Sequence, residues 1–194
     1  MQETNASSGL IVDSDTGLVA PARQCTSPNQ DQRPLGMSVD LIVIHSISLP
    51  PGEFGGPFID NLFCNRLDAS AHPYFADIAD LRVSAHCMIR RAGDVVQYVP
   101  FHQRAWHAGV SSYLGRDRCN DFSIGIELEG TDTGAFEPAQ YRALNALIES
   151  LRFAYPSLAQ APIVGHSDIA PGRKTDPGVG FDWTRIHAID ALDS

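Results

Sequence analysis

Leu41-Ile42-Val43-Ile44 is an unbroken apolar run that ends on His45. Four successive residues with no polar face do not suit a half-solvated strand, so Val39–His45 reads as a buried strand. A second strand follows from alternation over Phe122–Glu129. There Phe122, Ile124, Ile126 and Leu128 share one side, and Ser123, Gly125, Glu127 and Glu129 the other, with Gly125 leaving space beside Glu127. Pro138 at an early position opens a helix through about Phe153, whose Tyr141, Leu144, Ile148 and Leu151 recur at helical spacing. That stripe needs an apolar surface, and the two strands supply one. Val83–Val99 alternates and breaks at Arg91-Ala92-Gly93-Asp94, which predicts a β-hairpin. Phe58–Leu67 reads as a short helix, Pro162–Gly165 as a short strand leading into His166, and Asp182–Leu192 as a terminal helix. With no internal repeat, one α/β domain is expected over 1–194. Residues 1–38, rich in Ser, Asn, Gln, Pro and Gly, are expected to form an irregular arm. The Pro- and Gly-rich stretch 50–57 is either a connector or a lid beside His45.

A chain of 194 residues can bury a core without disulfides or a structural metal, so any metal here is expected to be catalytic. Cys25, Cys64, Cys87 and Cys119 form no C-x-x-C pair, and reduced thiols are the simplest reading. The net charge of −9 argues against nucleic acid as a partner. No segment reaches the ~20 apolar residues of a membrane span. Met1–Ser8 carry neither a basic region nor an apolar stretch, so a cytoplasmic location and a monomer are expected. Within 81–120 the charge reverses, with Arg82, Arg90, Arg91, Arg104, Arg116 and Arg118 against Asp94 and Asp117. This is either a solvated face or a pocket for a small anionic ligand.

The segment from Gly165 to Pro177 sets His166, Lys174 and Asp176 in a loop stiffened by two prolines, and Lys174 is the only lysine of the chain. Two imidazoles and a carboxylate make a suitable three-residue set for a catalytic zinc ion, which leaves one position open for water. His45, His166 and Asp176 supply that set. Glu127 suits proton transfer and Lys174 suits oxyanion stabilisation, against the plainer alternative of a Glu–Lys salt bridge. His86 is either a partner of a metal ligand or a hydrogen-bonded interior histidine. His107, after Trp106, either helps to hold a sugar or peptide or packs in the core. His72, His102 and His187 suggest no chemistry.

Several strings carry a more specific signal: Ile47–Pro57, Arg82–His86, Arg104-Ala105-Trp106-His107-Ala108-Gly109, Asn120–Gly130 and Gly165–Gly178. In this order they resemble the cytosolic 1,6-anhydro-N-acetylmuramoyl-L-alanine amidases over about residues 17–183. The resemblance implies the amidase/peptidoglycan-recognition fold, a mixed central sheet flanked by helices. It implies zinc held by His45, His166 and Asp176, with Glu127 and Lys174 in catalysis. It further implies Arg82, Trp106 and Arg118 along a muropeptide pocket. Ser46 stands where such enzymes commonly have asparagine, which bears on one substrate hydrogen bond. The implied reaction is hydrolysis of the lactyl–L-alanine amide of anhydromuropeptides during peptidoglycan recycling. A wall autolysin and a non-catalytic muropeptide receptor are the alternatives.

Overall fold

The computed structural model describes residues 9–186. Six strands build the central sheet: β1 (Arg23–Gln24), β2 (Leu41–Ile47), β3 (Cys87–Ile89), β4 (Val95–Gln97), β5 (Ser123–Glu129) and β6 (Ile163–Gly165). Their spatial order is β6-β2-β5-β3-β4-β1. β2 and β5 lie in the middle and pair in parallel over seven residues, from Ser123↔Leu41 to Glu129↔Ile47. The β3–β4 hairpin is the antiparallel element, and the sheet is therefore mixed, as expected. Its turn closes with Arg90 N–H donating to Asp94 O and Gly93 at φ +93°. A Cβ on Gly93 would also meet Ala139 O at 2.9 Å, so glycine is required there twice over.

Among the described residues three α-helices pack around the sheet: α1 (Phe58–Phe63), α2 (Pro138–Ala154) and α3 (His166–Ile169). α2 lays Tyr141, Leu144, Leu147, Ile148 and Leu151 on Ile42, Ile44, Ile124, Ile126 and Leu128, which forms the main core. Side chains of this kind contribute about 1.5–3 kcal/mol each on full burial, so this one face suffices to dock the helix. Gln140 Nε2 donates to Ile89 O and Glu129 O and ties the start of α2 to the ends of β3 and β5. Phe122 leaves the alternation and joins Leu41, Val43 and Ile169 on the opposite side of the sheet.

The expected irregular arm is otherwise. Ile11–Asp13 and Leu18–Ala20 pair as a hairpin whose Val12 and Val19 enter the α2 core, β1 extends the sheet, and Gln30–Gln32 pairs with Gln103–Ala105. Arg33 is half-buried and donates to the carbonyls of Asn120, Asp121, Phe101 and Ser123. These strands are two or three residues long, and the partners of Arg23–Gln24 and Gln30–Gln32 lie more than seventy residues along the chain. No local periodicity announces them. At the other end, Asp182 caps a single 3₁₀ turn, Trp183–Arg185, and the rest of the expected terminal helix, with His187, lies outside the described residues. The four thiols are free, but the fold brings Cys25 Sγ to 3.5 Å from Cys64 Sγ. Burial and the neighbouring thiol push Cys64 up to about 11.

Candidate active site and metal centre

β2 delivers His45 and β5 delivers Glu127, and their register makes the two residues direct partners. Both side chains leave the sheet on the face opposite α2, because Ile44 and Ile126, one residue earlier on each strand, belong to the α2 core. His166 opens α3 immediately after β6, whose Gly165 pairs with Ile44. The chain then loops through Lys174 and returns, with Ser167 N–H donating to Asp176 O at 3.0 Å. A loop, not a helix face, thus sets Asp176 beside His166.

The three donor atoms converge closely. His45 Nδ1 lies 3.0 Å from His166 Nδ1 and 3.1 Å from Asp176 Oδ2, and His166 Nδ1 lies 3.0 Å from Asp176 Oδ2. Ligands about 2.0–2.1 Å from a tetrahedral zinc ion stand roughly 3.3 Å apart, so the spacing suits a small ion. His166 Nε2 faces Ala108 O at 3.1 Å. A carbonyl only accepts, so the ring proton sits on Nε2 and the Nδ1 lone pair points into the cluster. Burial pushes His45 down to about 4, which keeps its ring neutral at neutral pH. Burial alone would raise the Asp176 carboxyl, but the His166 and His45 rings at 3.0 and 3.1 Å from its Oδ2 outweigh it and hold the group below the usual carboxylate range. Among the described residues this is the group of His, Cys, Asp and Glu ligand atoms gathered as a metal would require. The donor set fits zinc.

A cleft of about 300 Å³ opens on the cluster, with Glu127, Lys174 and Ser46 on its polar side and Leu49, Leu62, Phe63 and Trp106 among its apolar walls. Glu127 is 8% exposed, and its Oε2 has no hydrogen-bond partner. Burial raises its carboxyl well above the ordinary value, the Asp176 charge adds to this, and the Lys174 charge opposes it. Glu127 makes no ion pair with Lys174 within 4 Å, so a plain salt bridge is not what joins them. A buried carboxyl whose hold on a proton is strengthened, in the same cleft as the metal cluster, is suited to take and return a proton.

Not every residue named from sequence comes to the cleft. Trp106 does, with its indole N–H 3.3 Å from Asp31 Oδ1. Arg82 is exposed and turned toward the Asp80 carbonyl, although Leu81 and Val83 beside it line the cleft. Arg118 sits at a left-handed turn, its side chain 70% exposed and 3.3 Å from Asp121, outside the lining. The arginine-rich segment is not one basic pocket. Arg90 pairs with Glu129, Arg91 with Glu137, Arg104 with Asp31 and Asp121, and Arg116 with Asp40, so carboxylates from elsewhere in the chain neutralise most of it. The 50–57 loop is a pinned connector, with Gly55 N–H on Glu129 Oε1 and Gly56 O on Arg90.

Ser46 donates to Asp132 Oδ1 at 2.8 Å, and Thr175 donates to Oδ2 of the same carboxylate. Asp132, which sequence reasoning passed over, therefore joins the residue after His45 to the residue before Asp176. His86 is the hydrogen-bonded interior histidine of the two alternatives, receiving Gly125 N–H and facing Gln103 O. His107 is the surprise: its Nδ1 lies 2.9 Å from His45 Nε2. Gly125 leaves room for this ring, since a Cβ there would lie 2.4 Å from it.

The sequence of residues 35–179 matches the family model described as N-acetylmuramoyl-L-alanine amidase. The chain belongs to this amidase family. A 1,6-anhydro-N-acetylmuramyl-L-alanine amidase of Salmonella typhimurium is 60% identical over 93% of this chain and 96% of its own. A crystal structure of a selenomethionine AmpD derivative superposes with a TM-score of 0.87 at 61% identity, covering 91% of this chain and 97% of the other. The amidase AmiD of Escherichia coli, solved with anhydro-N-acetylmuramic acid-L-Ala-D-γ-Glu-L-Lys, aligns at a TM-score of 0.55 and 29% identity, over 92% of this chain and 65% of the other. The amidase is a hydrolase with a mixed sheet, and its buried His-His-Asp cluster is able to hold a metal.

Proposed function

We propose that this amidase is zinc-dependent and cleaves the amide between the lactyl group of 1,6-anhydro-N-acetylmuramic acid and L-alanine, in cytoplasmic peptidoglycan recycling. The observation that carries the reading is the convergence of His45, His166 and Asp176 in a cleft shared with Glu127 and Lys174. Near-full-length identity to relatives named for that bond supports it. So does the AmiD complex, whose ligand contains the same linkage. None of the described helices is long and apolar enough to cross a membrane, which accords with a soluble small-molecule substrate.

His45, His166 and Asp176 would hold the zinc ion, which supplies Lewis acidity toward the amide carbonyl and acidifies the attacking water. Glu127 Oε2, free of other partners, takes the proton of that water and returns it to the alanine nitrogen as the C–N bond breaks. The Lys174 ammonium faces the negative charge that gathers on the carbonyl oxygen. A compact cation serves a single oxygen, whereas the arginine fork is shaped for a planar anion. Trp106 and the apolar wall from Leu49 to Phe63 hold the substrate and keep bulk water off the reacting atoms. Of Arg82 and Arg118, both exposed, Arg82 is the one whose neighbours Leu81 and Val83 line the same cleft, and we assign it to the stem-peptide carboxylates. Ser46, committed to Asp132, acts on the substrate indirectly if at all.

Mass spectrometry of an anhydromuropeptide incubated with chelator-stripped and zinc-restored protein tests the reading. Zinc-dependent release of a peptide beginning with L-alanine is expected. A protein that binds one zinc and the muropeptide but releases no peptide would be a receptor.

A further inference from the structure

His107 stands between the metal cluster and the protein interior. Its Nδ1 is 2.9 Å from His45 Nε2, and its Nε2 is 3.2 Å from Ser123 Oγ. Ser123 is fully buried and donates its hydroxyl proton to Cys119 O at 2.6 Å. That last bond sets the polarity of the whole row. With its proton committed to a carbonyl, the Ser123 oxygen only accepts, so His107 carries its proton on Nε2. A neutral ring then has a bare Nδ1, which accepts from His45. His45 in turn is protonated on Nε2 and bare on Nδ1, the atom that faces His166 and Asp176.

The next residue does the same for the second histidine. Ala108 O accepts from His166 Nε2 at 3.1 Å, which leaves His166 Nδ1 bare, and it also accepts from Arg173 Nη2 at 2.6 Å. One side chain fixes the pair in place: Asn120 Oδ1 accepts the backbone N–H of both His107 (3.1 Å) and Ala108 (2.8 Å). The missing side chain at Gly125 completes the seat, because Cβ there would overlap the His107 ring.

We propose that His107 and Ala108 are a two-residue positioning platform that presents both metal histidines with Nδ1 unprotonated. Ser123 sets the proton order and Asn120 anchors the backbone. The proposal rests on the metal reading of the His45–His166–Asp176 cluster. His107 borders the cleft, but both its ring nitrogens are engaged by His45 and Ser123, and it acts through His45, as a partner on the far nitrogen of a ligand imidazole orients the ring and fixes its tautomer.

Two measurements on the full chain test it. Long-range proton–nitrogen spectra of the metal-free protein assign tautomers without any variant, and His107 and His45 are both expected to be protonated on Nε2. A proton on His107 Nδ1 would overturn the platform. Chelator competition then gives zinc affinity for the parent, His107→Phe and His107→Asn. His107→Phe keeps a ring but accepts nothing, and its affinity is expected to fall about 10–100-fold. In His107→Asn the amide oxygen stands near the place of Nδ1, and affinity should return toward the parent value. A folded His107→Phe protein that holds zinc as tightly as the parent reduces His107 to packing. A parent that binds no zinc removes the metal reading itself, and the platform with it.

Discussion

The two halves of this site are built by opposite means. His45 and Glu127 ride on adjacent central strands, in register and nearly inaccessible to water, while Lys174 is exposed and Asp176 sits on a loop beyond the edge strand β6. The strand half gains a shifted carboxyl from burial, at the cost of placing a titratable group inside the protein. The loop half gains access for substrate, and holds its geometry through the Ser167–Asp176 backbone bond and the Asp132 carboxylate. The proposed reaction needs both conditions, a buried carboxyl and a reachable cation, and no single element of this fold offers the two together.

Substitutions separate the halves. Asp176→Ala is expected to lose stoichiometric metal and essentially all turnover while the metal-free protein keeps its melting temperature, read by elemental analysis beside calorimetry. Retention of metal at parent affinity would move the third ligand elsewhere. Glu127→Gln is expected to keep the metal and lose about 10²–10⁴-fold in turnover. Its stability carries the sharper signature. In the unfolded chain Glu127 ionises near its ordinary value of 4.5, whereas in the fold that value is raised. Below pH 4.5 the group is protonated in both states and the substitution changes nothing. As pH rises from there toward the folded value, the unfolded chain ionises the group while the buried carboxyl stays protonated, so the fold loses stability progressively. Metal-free Glu127→Gln should therefore melt above the parent at neutral pH, with the gap closing in acid. No gap at any pH would place Glu127 in a wetter setting than the strands imply.

Lys174→Ala, on the loop half, should cost about 10²–10³-fold in turnover with no change in melting temperature, since the side chain is exposed and charge stabilisation of a developing oxyanion is of that size. Lys174→Arg should recover only part of it. Ser46→Ala is expected to have the smallest effect, about 0.5–1.5 kcal/mol of stability for one hydrogen bond, with a modest rise in KM if the loop loosens. A loss as large as that of Lys174→Ala would instead put the Ser46 hydroxyl on the substrate.

The sequence announced the strand half almost completely. Apolar runs and alternation are local signals, and β2, β5 and α2 fall within about two residues of where periodicity placed them. The clustering of His45, His166 and Asp176 was legible too, from a histidine at a strand end and a loop that sets histidine and aspartate around the chain's sole lysine. What stayed hidden depends on long-range pairing. Of the short strands within residues 9–38, Arg23–Gln24 and Gln30–Gln32 exist only because distant backbone receives them. The neutralised arginines needed acids from Asp31 to Glu137, outside any local window. In sequence His86 and His107 each leave two readings open, a partner of a metal ligand or an interior histidine for the first, a sugar or peptide holder or core packing for the second. Only the gap at Gly125 and the Ser123 hydroxyl decide which one meets His45.

β6 is three residues long, lies at the end of the sheet and pairs with β2 alone. Everything after it, His166 through Asp176, is reached across that narrow seam, while His45 lies 121 and 131 residues earlier in the chain. An ion held by all three residues is therefore also a rivet. It closes a loop of more than a hundred residues at the point where the sheet is thinnest, and favours the folded chain by mass action. Chelation should accordingly quicken amide exchange along 163–178 before it disturbs β2 or β5, so that the edge of the sheet reports whether the centre is loaded.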